Sequence, residues 1–156
     1  MGTLRSRLSE LGLTASALAS EMFVAQEVLS PFLDVADIPD QIVQILDGIE
    51  GQLEKIAVFY VRGLQLADGG LSGKHIRLVR FSSNQDLWRH VPDSEQISLS
   101  CVMHSQILLR SQRLLRELGI KAEIIEFSAR EYARWLRRVQ VPDSPVAVAR
   151  WATEQQ

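Results

Sequence analysis

Two long runs of hydrophobic residues with helical spacing occupy the N-terminal half of the chain. In residues 4–29 the apolar positions alternate at steps of four and three, which predicts one helix of about four heptads. Ser30-Pro31 ends it, because proline disfavours a helical conformation in the residue before it and lacks a backbone donor. The same spacing resumes over residues 42–67 and predicts a second helix, which Asp68-Gly69-Gly70 ends.

Two such helices with a short connection predict an antiparallel hairpin. A pair of helices has a thin core, so we expect its apolar seam to pack against the rest of the chain or to form a homodimer. The first helix has few charges beside its seam, which favours packing inside the protein over an exposed zipper. The residues expected in the seam are Leu8, Leu11, Leu18, Met22, Ile49, Leu53, Ile56 and Tyr60.

Two segments of the C-terminal half have the pattern of β-strands. Residues 75–81 alternate polar and apolar side chains, and residues 121–127 have a similar β-branched content. A helix over residues 95–118, ending at Gly119 as a left-handed cap, separates the two strands. The order is that of a βαβ unit, but the sequence leaves open whether the strands pair in parallel, and an all-α chain is the alternative.

Three further helices are predicted around these strands. A short helix begins at residues 83–86, and a capping box at residues 128–131 starts another that continues to Val139. Ser144-Pro145 supplies a cap and a first-turn proline for a last helix through Trp151.

The predicted fold class is therefore α+β and mostly helical, with an N-terminal antiparallel helical hairpin followed by a small β-α-β-α unit. Three parts are expected: the hairpin at 1–68, a Gly-rich connector at 69–74, and the small unit at 75–156. The connector resembles a Walker A loop only superficially. Asp68 stands at the required glycine and His75 at the required serine or threonine, so no nucleotide site is predicted there.

Composition limits the class of protein. The 156 residues are 46% hydrophobic and 23% charged, which is ordinary for a globular protein and excludes wholesale disorder. No apolar run reaches the length of about 18 residues that a transmembrane helix needs, so no membrane partner is expected. A single cysteine, Cys101, and the lack of a signal peptide predict a cytoplasmic protein.

Charge is divided between the two halves. Residues 1–73 carry four basic and ten acidic side chains, whereas residues 74–150 carry thirteen basic and eight acidic ones. Such asymmetry points to an acidic or polyanionic partner for the basic half. The candidate contacts are Arg110, Arg113, Arg116, Lys121, Arg130, Arg134, Arg137 and Arg138.

No motif predicts catalysis, and no metal or cofactor is expected. Cys101 and His104 stand three residues apart, but a zinc site needs three or four ligands, and the apolar neighbours of Cys101 are typical of a core residue. We therefore expect a non-catalytic adaptor or accessory subunit of a larger complex, which binds an acidic partner protein through its arginines. The alternatives are a protein that binds nucleic-acid backbones, and a small enzyme whose site the sequence does not reveal.

Overall fold

The computed structural model describes residues 2–67 and 75–155, which form a mostly helical α+β chain. Its elements are α1 Leu4–Leu11, α2 Ala15–Glu21, α3 Asp40–Ala67, β1 His75–Arg80, α4 Asn84–His90, α5 Cys101–Glu117, β2 Lys121–Glu126, α6 Ala129–Val139 and α7 Pro145–Thr153. The chain divides into two compact units, Met1–Lys55 and Ile56–Gln156. The predicted connector at 69–74 and the predicted stop at Asp68-Gly69-Gly70 lie outside the described residues, so the boundary proposed there stays a prediction.

The single helix predicted over residues 4–29 is wrong. Gly12 adopts φ 71° and ends α1, and the Thr14 hydroxyl accepts the Ala17 N–H at 3.0 Å to cap α2. Two 3₁₀ turns, Gln26–Val28 and Ser30–Phe32, follow α2. The first arm of the predicted hairpin is therefore a series of short elements, because a left-handed glycine and a new N-cap interrupt the backbone hydrogen bonds. The second predicted helix corresponds to α3.

The first unit joins α1 to the first part of α3 by ion pairs. The Arg7 guanidinium lies 2.5 Å from Asp47 and 3.2 Å from Glu50, and its own side chain is 23% exposed. The hydrogen bond to Asp47 is the main cause that raises the pKa of Arg7. These two acidic residues of α3 are thus paired inside their own unit.

The second unit is built around a two-stranded parallel sheet, in which His75 pairs with Lys121 and Arg80 with Glu126. The predicted strands at 75–81 and 121–127 are therefore confirmed to within one residue. Because side chains alternate across a strand, one face presents Leu78 and Ala122, and the opposite face presents Val79 and Ile125.

Helices cover both faces of this sheet. Leu78 and Ala122 belong to a core with Leu108 and Leu115 of α5 and Val61 of α3. Val79 and Ile125 pack against an aromatic core in which Phe81 and Phe127 meet residues of α6 and α7, namely Tyr132, Trp135, Val148 and Trp151. Two strands make a marginal sheet alone, so burial on both faces accounts for its stability in this unit.

The helix predicted over residues 95–118 begins later than expected. Ser98 has φ 51°, and the Ser100 hydroxyl accepts the Met103 N–H at 3.0 Å, so α5 starts at Cys101. Its C-terminal end is followed by Gly119 at φ 78°, the left-handed residue that the sequence predicted.

Candidate functional site: the arginine face of α6

Helix α6 begins where the capping box predicts. The Ser128 hydroxyl accepts the Glu131 N–H at 3.2 Å, which satisfies one of the free donors of the first turn. At its other end Gln140 takes a left-handed conformation with φ 56° and closes the helix. The helix is therefore fixed at both ends by local chemistry.

Two aromatic side chains anchor the buried side of α6. The Tyr132 hydroxyl donates to Asp143 at 2.6 Å, and the Trp135 indole N–H donates to Glu154 at 2.7 Å. Burial, with help from Asp143, raises the pKa of Tyr132 to about 12, so this phenol stays protonated. With both polar tips paired and both rings buried, α6 is held firmly against α7 and the sheet.

The opposite side of α6 carries what we call the arginine face, made of Arg130, Arg134, Arg137 and Arg138. All four are exposed. Within the described part of the second unit, no ion pair uses any of them. Steps of four and three put the first three on one side of the helix, over about 10 Å of its axis.

A shallow groove of about 310 Å³ runs along this face. Arg134 and Arg138 line it together with Glu131 and Gln155, above the edges of Trp135 and Trp151. Among the described lining residues, the groove therefore offers guanidinium donors beside one carboxylate, and two arginines of the set share one concave surface. A guanidinium donates two parallel hydrogen bonds to one carboxylate or phosphate, so this surface is suited to anions.

The other basic residues predicted as contacts have different surroundings. Arg110 donates to Gln106 of its own helix at 2.9 Å, and Arg113 is also engaged with groups of the chain. Arg116 is exposed in the last turn of α5, where it suits the helix dipole. Lys121 lies 3.6 Å from Glu123. Helix geometry thus brings together the four arginines of α6, while the other four are spread over α5 and β2.

The predicted oligomer seam is not continuous on the surface. Leu8, Leu11, Leu18 and Leu53 are buried in the chain's own core, so they are not available to a second copy. Met22 and Ile49 are half-buried. Ile56 and Tyr60 remain 48% and 42% exposed, and Phe59, which the sequence reasoning missed, is 79% exposed on the same helix.

Cys101 and His104, the pair considered as metal ligands, belong to no larger group of ligands among the described residues. Cys101 is half-buried against the aromatic core, and its N–H donates to Asn84 at 2.8 Å. Burial lowers the pKa of His104 to about 4, and its Nδ1 is buried without a partner. Among the described residues, no group of three or more His, Cys, Asp or Glu is placed to hold a metal ion.

The sequence reasoning missed the environment of His90. This side chain is 5% exposed, its ring centre is 6.0 Å from that of Phe81 and 4.8 Å from that of Phe127, and Asp143 is 3.7 Å from its Nδ1. Burial is the main cause that lowers its pKa. Its neighbours follow β1, β2 and α6 in the chain, so no short stretch of sequence predicts that they meet.

Neither the known protein-family models nor the curated proteins contain a match to this chain. Among the described helices, none combines the length and the apolar character that crossing a bilayer requires.

Proposed function

We propose that this protein is a cytoplasmic, non-catalytic adaptor or accessory subunit that binds an acidic segment of a partner protein through the arginine face of α6. The observation that carries the proposal is the set of four exposed arginines on one firmly anchored helix, without an ion pair inside the described second unit. A rigid helix lowers the entropy cost of binding, because its side chains are presented in a fixed arrangement.

Two features favour a protein over a nucleic acid as the partner. The arginine face spans only about 10 Å, which matches a short peptide segment better than an extended phosphate backbone. The chain as a whole has a net charge of −2, whereas domains that bind nucleic acids are usually strongly basic. An acidic peptide also suits the mixed groove, in which Gln155 and Glu131 can exchange hydrogen bonds with a peptide backbone.

The acidic residues of the first unit provide further support. The acidic residues of α3, Asp47 and Glu50 among them, are alternative partners for the arginines of α6, within the chain or across a dimer. Both are already paired with Arg7. Each would have to share its negative charge between Arg7 and an arginine of α6 to bind both, which makes an outside partner the better candidate.

Affinity capture from lysates of the native host, with and without nuclease treatment, tests this function. Three baits are compared: the wild type, Arg134→Glu/Arg137→Glu, and the control Lys55→Glu/Arg62→Glu, which changes the net charge equally on exposed sites of α3. We expect the wild type and the control to retain the same acidic protein, and the α6 variant to lose it. Equal retention by all three baits would refute the role of α6, and loss of the partner on nuclease treatment would favour nucleic acid.

A further inference from the structure

A cavity of about 200 Å³ opens within the second unit and shares no described lining residue with the groove on the arginine face. Eight of the twelve described residues that line the cavity are apolar, among them Phe81, Leu108 and Val148. The four polar ones are Tyr60, Arg77, His90 and His104, contributed by α3, β1, α4 and α5. A cavity of this kind, apolar with a few convergent polar groups, is typical of a small-molecule site.

Of the described residues that line this cavity, Arg77 is the one with a formal charge near pH 7. Both histidines are neutral near pH 7, because burial lowers the pKa of each. Tyr60 is neutral too, since desolvation raises the pKa of its phenol. Among the described residues that line the cavity, none is a carboxylate. The site is therefore electrostatically positive at one point and neutral elsewhere.

The charge of Arg77 is incompletely matched within the chain. Its side chain is only 17% exposed, and its Nη1 donates to the Ala152 carbonyl at 3.1 Å. Its nearest acidic partner, Glu123, is 3.7 Å from Nε, beyond hydrogen-bond distance, and is shared with His75 and Lys121. A guanidinium has five donors, so Arg77 has donors left for an anion. A largely buried charge gains more from such a partner than an exposed one.

We propose that this cavity binds a small monocarboxylate with an apolar ring or branched chain, and that its carboxylate pairs with Arg77. The volume suits a single ring, since an apolar cavity of about 150 Å³ is known to take up benzene. One guanidinium matches one carboxylate in charge and by two parallel hydrogen bonds, whereas a phosphate dianion would need a second positive charge, which the described residues of this wall do not supply. The site is independent of the arginine face.

Calorimetric titration of the full chain tests the proposal, with sodium benzoate as the probe and benzyl alcohol as its neutral counterpart. Since a charge-assisted hydrogen bond is stronger than a neutral one, we expect benzoate to bind at least about 10-fold more tightly than the alcohol. Arg77→Met should abolish this preference. Arg80→Met, on the same strand but the opposite face and paired with Glu126, is the matched control and should leave it unchanged.

A second variant guards against misfolding of Arg77→Met. Ala149 lines the cavity from the exposed side of α7, so Ala149→Phe fills the space while Arg77 and its contacts remain. It should weaken benzoate binding at least about 10-fold, because the ring of the ligand no longer fits. Equal affinities for benzoate and benzyl alcohol would overturn the proposal. So would unchanged binding in Ala149→Phe, or no saturation by about 10 mM benzoate, given the affinity expected for so small a ligand.

Discussion

Lowering the pH should destabilise the fold through His104, and the size of the effect follows from its burial. The folded-state pKa is about 4, and the ordinary value is 6.5. Between these two values the unfolded chain binds more protons than the folded one, so acid favours unfolding. The contribution of His104 to the free energy of unfolding is full above pH 6.5. Relative to that value it is about 2 kcal/mol lower at pH 5 and about 3 kcal/mol lower below pH 4.

His104→Leu removes the titrating group and also the buried Nδ1 that lacks a partner. Urea unfolding followed by circular dichroism at pH 8 and pH 5 gives the free energy of unfolding for both proteins. The carboxylates are common to both, so the difference between the two pH effects isolates His104. We expect the decrease in the free energy of unfolding between pH 8 and pH 5 to be about 2 kcal/mol smaller in the variant than in the wild type.

A pH-dependent loss that is the same in both proteins would refute this reasoning, because it would mean that His104 is protonated equally easily in the folded and unfolded chains. A larger loss in the variant would contradict it as well.

Two further substitutions test the fold. Trp151→Ala should lower the free energy of unfolding by about 3–5 kcal/mol, because this 1% exposed side chain joins α7 to the aromatic core. The control Val146→Ala, at a 78% exposed position of the same helix, should change the free energy of unfolding by less than about 0.5 kcal/mol. Equal effects in urea unfolding would mean that α7 is not packed as described. Gly12→Ala should lower the free energy of unfolding by about 1 kcal/mol in the same assay, because φ 71° strains any residue with a Cβ. A variant that is more stable than the wild type would instead support one continuous first helix.

Elements set by local chemistry were predictable from the sequence. The capping serine of α6, the proline-initiated α7 and the alternation of β1 each depend on a few neighbouring residues. The error over residues 4–29 shows the limit of the heptad pattern. Apolar spacing continues through a turn when both flanking helices face the same core, so the pattern alone does not reveal the break. Gly12 and Thr14 were the local signal that outweighed it.

The candidate sites differ in the same way. The arginine face was visible in the sequence because its members share one helix, and helical spacing places them together. The cavity around Arg77 was not, because its polar residues come from α3, β1, α4 and α5 and meet only in the folded unit. Histidines such as His90 and His104 have no sequence spacing that connects them, and their lowered pKa values arise from tertiary burial.

The affinity of the arginine face for a carboxylate-rich peptide is the most direct test of the proposed role. Fluorescence anisotropy of a labelled deca-glutamate measures it for the wild type, for Arg134→Glu/Arg137→Glu and for Lys55→Glu/Arg62→Glu. Since each exposed ion pair contributes about 0.2–1 kcal/mol and each reversed charge adds repulsion, we expect the α6 variant to bind about 10- to 100-fold more weakly, and the α3 control to change much less. Equal losses of peptide affinity in both variants would contradict an acidic protein partner at α6. So would tighter binding of the wild type to a DNA oligonucleotide than to the peptide, if the α6 variant loses this preference and the α3 control keeps it.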